Sequence, residues 1–222
     1  TNDWNKDSER RDLTINSIYL DQKGKIFDPH NGQDDLKNKR VKFIGEPGQR
    51  IQEDYLRILR YIRFSIQYQS EIDEKTIKII KLNLNGFKNL AKERIFDELF
   101  KIISLKDFKK NILNSSHLIE IFSVIFPEFK YIKRLEKAEK LLNYELSREN
   151  LLAILILDRS GNHEYFCFKY KVSNILKEKF KSLAEGLVQI KNDKNFFKKN
   201  IKKNIYIYGK KTMIDMNLID YF

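Results

Sequence analysis

The chain has 222 residues, of which 41% are hydrophobic, 13% aromatic and 33% charged, a balance that buries a substantial core and excludes a disordered polyelectrolyte. Its 43 Lys and Arg against 31 Asp and Glu leave a net charge of +12, which points to a polyanionic partner, nucleic acid ahead of a membrane surface. A single cysteine, Cys167, excludes a disulfide framework and suits a reducing, cytoplasmic setting; its aromatic neighbours in "HEYFCFKYK" mark a buried structural thiol.

The chain opens on "TNDWNKDSERRD", without an initiating Met and without an apolar signal segment, as expected of a fragment. No apolar run of about eighteen residues, the length a spanning helix needs, occurs anywhere, so no membrane partner is expected. "SIYLD" and "KIFDP" flank "QKG", which predicts a β-hairpin. "DPHNGQDD" reads as a loop, "VKFIG" as a further short strand and "GEPG" (residues 45–48) as a turn. From about residue 50 the pattern is helical, with Pro only at 29, 47 and 127. The spacing predicts helices over 50–69, 73–83, 88–104, 116–124, 128–143 and 148–158, with further helical segments after 163. Phe96, Leu99, Phe100 and Ile103 in "LAKERIFDELFKIIS" recur at helical spacing. The expected fold is mainly α, with a small β-hairpin at its start.

Two stretches carry possible chemistry. "RRDLTINSIYLD" (10–21) packs two guanidinium groups, a carboxylate and an amide into seven residues. Arg10 and Arg11 match phosphate oxygens in bidentate fashion, Asp12 suits a ribose hydroxyl, and Asn16 suits the sugar or a neighbouring side chain; taken alone, "RRD" is more commonly a surface basic pair. "RIQEDYLRILRYIRF" (50–64), placed on a helix at about 100° per residue, puts Tyr55, Ile58, Leu59, Ile62 and Ile66 on one apolar face. Asp54, Arg57 and Arg60 fall on the other side, with Glu53 and Arg50 nearby, and Asp54 and Arg57 become neighbours three residues apart. An ordinary surface ion pair, worth a few tenths of a kcal/mol, accounts for such a pattern. So does a base reader. A carboxylate accepts from the exocyclic amino group of cytosine or adenine while a guanidinium donates to the adjoining ring acceptor. Uracil and guanine set a carbonyl against the carboxylate, and one good bidentate contact discriminates by about 1–3 kcal/mol.

"RRDLTINSIYLD…GKIFDPHNG" resembles motif B and the following hairpin of class II nucleotidyltransferases, the bacterial-type CCA-adding enzymes and related poly(A) polymerases. "EDYLRILRYIRF" resembles their motif D and "LAKERIFDELFKII" their motif E. The resemblance implies the C-terminal part of a nucleotidyltransferase head at 1–34, a helical neck at 35–104, and a helical body at 105–222 with an incomplete tail. It implies that Arg11 and Asp12 bind the ribose and phosphates of CTP or ATP, with Arg10 and Asn16 supporting. Asp54 and Arg57 would then pair with the base, Glu53 would brace that pair, and Arg60 would clamp the nucleotide. The implied activity is addition of CCA to tRNA 3′ ends, with poly(A) addition and non-catalytic RNA binding as alternatives. The resemblance also implies Mg²⁺ as cofactor. The family's metal-binding Asp-x-Asp after a Gly-Ser turn does not occur in this sequence, so no catalytic residue and no metal ligand is assigned to it. Glu71 and Asp73 in "SEIDEK" instead read as a solvated helix start, and His30, His117 and His163 lack metal-ligand spacing. The expectation is a chain that binds nucleotide weakly alone and transfers none, completed by a separate chain if it is one half of a split enzyme. In "KNDKNFFKKNIKKN" (191–204), Lys198, Lys199, Lys202 and Lys203 are candidates for RNA phosphates; alternatively they form a solvated face over inward-pointing Phe196 and Phe197.

Overall fold

A computed structural model of the chain describes residues 3–140, 146–158 and 160–222. It divides into two compact units, Thr1–Phe108 and Lys109–Phe222.

In the first unit, α1 (Trp4–Glu9) starts at Asp3, whose carboxylate accepts from the backbone N–H groups of Asn5 and Lys6. The predicted hairpin forms: β1 (Tyr19–Leu20) pairs antiparallel with β2 (Ile26–Phe27), and Gly24 takes the left-handed backbone of the turn at φ +80°. Trp4 stacks on Tyr19 with ring centroids 5.7 Å apart, so α1 covers the hairpin. The loop expected over residues 28–35 is shorter than that. α2 (Gly32–Lys37) begins inside it because Asp28 accepts from the N–H groups of Gly32 and Gln33, satisfying two first-turn donors. The strand expected at 41–45 reduces to one antiparallel bridge, Leu13 with Phe43, flanked by Thr14 N–H to Lys42 C=O and Ile44 N–H to Asp12 C=O. This bridge ties the segment after α1 to the segment before α3.

The helix expected over 50–69 is two helices. α3 (Pro47–Glu53) has Pro at its N-terminus and α4 (Leu56–Gln67) follows, with Asp54 extended between them at φ −156°, ψ 104°. The Asp54 carboxylate accepts from the N–H of Leu56, which makes it the start of α4 rather than the middle of a longer helix. Ile58, Leu59, Ile62 and Ile66 are buried as expected, whereas Tyr55 precedes α4 and lies against Gly86. α5 (Glu74–Asn83) is capped by Asp73, and a 3₁₀ turn, Leu84–Asn89, leads into α6 (Lys92–Ile103), which therefore starts later than residue 88. α4 packs on α6, where Ile95, Leu99, Ile102 and Ile103 are buried. Phe96 and Phe100 are only half-buried and stack on each other. Each fully buried aliphatic side chain in such a seam contributes about 1.5–3 kcal/mol of transfer free energy.

The second unit is helical: α7 (Phe108–Leu113) leads into it, followed by α8 (Ser116–Ile125), α9 (Arg134–Glu139), α10 (Arg148–Ile156), α11 (Asn162–Lys169), α12 (Asn174–Asn192), α13 (Ile201–Tyr208) and α14 (Lys210–Asp220). Of the helix expected at 128–143, residues 134–139 are helical and 141–143 lie outside the described residues. α10 is buried from Asn150 to Ile156 and is apolar all round from Leu151 onward, the mark of a central helix. Phe126, Phe129, Phe166 and Tyr170 form one aromatic cluster beside it. Buried charges are paired: Glu128 with Lys169, and Asp215 with Lys179 and Asn150. Cys167 is buried, as its neighbours indicated, and burial pushes its thiol up to about 11.

A Cβ at Gly86 would run into the Tyr55 ring, so Gly86→Ala forces apart the 3₁₀ turn and the start of α4. Overpacking of this kind costs about 1–3 kcal/mol, and thermal unfolding should show a midpoint several degrees below that of the parent chain.

Candidate nucleotide site

The residues that the sequence singled out from positions 10–16 and 53–60 meet in the first unit. Asp12, only 6% exposed, accepts from Asn16 Nδ2 at 2.9 Å and from Arg60 Nε at 2.5 Å. The bond to Arg60 joins the two stretches across 48 residues of chain. A second link runs through Arg57: Nη1 donates to the Arg50 carbonyl at 2.9 Å and to Glu53, and Nη2 reaches the Arg10 carbonyl at 3.5 Å. A third runs through Arg50, which donates to the carbonyls of Glu9 (2.6 Å) and Ile44 (2.8 Å) and to the Glu53 carboxylate. Three arginines thus secure the turn after α1 to α3 and α4. They work chiefly through backbone carbonyls, acceptors that any sequence supplies.

Asp54 and Arg57 do not form the expected side-by-side pair on one helix. Because the backbone is extended at Asp54, its carboxylate leaves the helical lattice and takes other partners: Leu56 N–H at 3.1 Å on Oδ1 and Arg94 Nη2 at 2.7 Å on Oδ2. Arg57 is held by Glu53, which also holds Arg50, so the bracing expected of Glu53 falls on Arg57 alone. Arg60 is committed to Asp12. Arg10 and Arg11 share Asp7: Arg10 Nη2 donates to one carboxylate oxygen, and Arg11 Nε (3.0 Å) and Nη2 (2.7 Å) to the other. Sequence reasoning passed over Asp7 and Arg94. Asp7 stands three and four residues before the two arginines, a spacing that a short helix would have revealed. Arg94 lies 40 residues from its partner, and no local signal connects them.

Charge balance follows the pairing. Burial alone would raise the Asp12 carboxyl, but Arg60 and Asn16 hold it below the ordinary carboxylate value, and Asp12 in turn raises Arg60. Glu53 is held low by Arg57 and Arg50. No group of three or more His, Cys, Asp or Glu among the described residues is placed to hold a metal ion. The acids of this cluster already face guanidinium groups, so its residues do not fit Mg²⁺.

In the second unit, Phe196 is buried against Phe197 and Tyr208, while Phe197 is half-buried, so the inward-pointing reading of the two holds for Phe196 alone. Lys198 and Lys199, just before α13, and Lys202 and Lys203, within it, are exposed, as is Tyr206 of the same helix at 90%.

Residues 1–42 match the "Poly A polymerase head domain" family and residues 71–133 the "Probable RNA and SrmB-binding site of polymerase A" family. The chain is 52% identical over 106 residues to the human mitochondrial CCA tRNA nucleotidyltransferase 1, covering 46% of this chain and 24% of that protein. It is 32% identical over 213 residues to the CCA-adding enzyme of Staphylococcus saprophyticus, covering 95% of this chain and 51% of that protein. The chain therefore spans at most about half the length of these relatives. The crystal structure of the Bacillus stearothermophilus CCA-adding enzyme in complex with CTP superposes over 98% of this chain and 54% of that one, with a TM-score of 0.76 at 20% identity, which establishes the shared fold.

The folded Asp12 carboxyl sits below its unfolded value, so it adds stability at pH above the usual carboxylate range of about 4, and that stability is lost as pH falls through the lowered folded value. Arg60→Ala leaves the buried carboxylate with Asn16 as its side-chain partner. It should cost about 1–3 kcal/mol at neutral pH, discounted because Arg60 is a third exposed, and move acid unfolding to higher pH in denaturant titrations.

Proposed function

Because the chain is homologous to the bacterial-type CCA-adding nucleotidyltransferases, we propose that it serves CCA addition to tRNA 3′ ends, the first unit choosing the nucleotide and the second holding RNA. The observation that carries this reading is the joining of residues 10–16 to residues 57–60 by Asp12–Arg60 and by Arg57 with the Arg10 carbonyl. Arg10 and Arg11 take the triphosphate; Asp12 and Asn16 take the ribose; Asp54 and Arg57 face the base. A carboxylate oxygen has two lone pairs and a guanidinium five N–H donors, so Asp54 and Arg57 can serve a base while keeping Arg94 and Glu53. Cytosine and adenine give the carboxylate an amino group, whereas uracil and guanine give it a carbonyl oxygen and leave a charge unpaired. With CTP and ATP the nucleotides, tRNA is the macromolecular partner.

Phosphoryl transfer in this family's chemistry needs carboxylate-held metal ions. The acids here are taken by arginines, so nucleotide selection is assigned to this chain and no step of transfer is. A non-catalytic RNA-binding role would keep the lysines and make the Asp54 and Arg57 positions indifferent.

Calorimetric titration of the chain with each nucleoside triphosphate should give CTP and ATP affinities about tenfold or more above UTP and GTP, as expected for one bidentate contact. Asp54→Ala should erase that preference, and no CMP or AMP should be incorporated into tRNA lacking CCA by the chain alone. Equal affinity for all four, or incorporation, would overturn the assignment.

Replacing Lys198, Lys199, Lys202 and Lys203 with Gln should weaken tRNA binding. The slope of log affinity against log salt should fall by about 0.7–0.9 for each lysine that contacts phosphate.

A further inference from the structure

One carboxylate at the end of α1 gathers an unusual number of donors. Asp7 Oδ2 accepts from Arg11 Nε and Nη2 and from the Tyr19 hydroxyl at 2.8 Å, while Oδ1 accepts from Arg10. Tyr19 is itself fixed, paired with Phe27 in the hairpin and stacked under Trp4. The Arg11 guanidinium lies 5.9 Å from the Tyr19 ring centroid, so the ring face holds it as well. On the main-chain side, Arg50 grips the Glu9 carbonyl and Arg57 the Arg10 carbonyl. The backbone that carries the two arginines is thus tied to α3 and α4, and their heads are tied to the hairpin through a single acid.

Two adjacent guanidinium groups repel, and long side chains lose rotamer freedom when held. A shared counter-ion answers both costs. It neutralises one of the two charges and leaves net positive charge for a phosphate. Arg11 foremost, then Tyr19 and Arg10, hold the Asp7 carboxyl well below the usual carboxylate range, so it stays ionised at any working pH.

We propose that Asp7 is a positioning residue that fixes Arg10 and Arg11 in one arrangement for the triphosphate, a role that rests on the nucleotide-binding function given to those arginines above. The two claims separate in experiment. In the chain with ¹⁵N-labelled arginine, the Arg11 Nε–H should exchange more slowly than a free arginine's, and Asp7→Asn should speed that exchange about two- to fivefold, the effect of losing a solvent-accessible ion pair, with Asp7→Glu restoring part of it. CTP affinity should fall by a similar factor in Asp7→Asn. Preference for CTP over UTP, which belongs to Asp54 and Arg57, should not change. Asp7→Asn added to Arg10→Ala/Arg11→Ala should bring little further loss, because Asp7 acts through those two arginines. Exchange that is equally fast in parent and variant, tighter CTP binding by Asp7→Asn, or full additivity with Arg10→Ala/Arg11→Ala would each overturn the positioning role. Slow, Asp7-dependent exchange in a chain that binds no nucleotide would show the lock without its purpose, and would overturn the nucleotide reading and the role built on it. Thermal unfolding of each variant establishes that the comparison is among folded chains.

Discussion

Asp12 and Arg60 lie 48 residues apart in the chain and within hydrogen-bond distance in the fold. A carboxylate only 6% exposed requires a cationic partner, and meeting that requirement draws α4 to the segment after α1. The other long-range bonds of the cluster build on this meeting. Arg57, on the same helix as Arg60, reaches the Arg10 carbonyl, and Arg50 reaches the Glu9 carbonyl from α3. Asp12 also lends its backbone carbonyl to Ile44, so the residue that anchors the cluster is built into the bridge between Leu13 and Phe43.

Around that anchor the acids are few and shared. Asp7 serves two arginines and a tyrosine, and Glu53 serves two arginines. Sharing leaves the first unit with more guanidinium than carboxylate at one place, which is what a polyanionic ligand needs. Arg94 plays a related part at Asp54: it arrives from α6, the helix that packs on α4, so the orientation of the Asp54 carboxylate is coupled to the hydrophobic seam between two helices.

Much of this was legible in the sequence. The hairpin announced itself through two short apolar runs and a Gly turn, and the buried stripe of α4 through its helical period. The residues at 10–16 and 53–60 were marked by dense charge in a pattern that resembled a known family. The break at Asp54 was not legible. "RIQEDYLRILRYIRF" contains no Pro or Gly, and local propensity favours one uninterrupted helix; the extended residue is stabilised by Leu56 N–H and by Arg94, a partner 40 positions away. For the same reason the placement of Asp54 and Arg57 as neighbours on one helix did not hold, since three-residue spacing makes neighbours only on a continuous helix. The start of α2 was hidden by Asp, Asn and Gly, residues as common in loops as at helix N-termini. The inward turn of Phe196 was one of two readings the sequence left open for the two phenylalanines, and it did not extend to the half-buried Phe197.

The second unit carries a built-in reporter of its own integrity. Cys167 is the chain's single sulfhydryl, it is buried on α11, and burial holds its proton up to about 11. Maleimides and aromatic disulfides attack the anion, so labelling at neutral pH is suppressed twice over, by occlusion and by protonation. The rate at which such a reagent consumes one equivalent therefore measures how often that helical half opens, with no competing residue to correct for and no engineered tag.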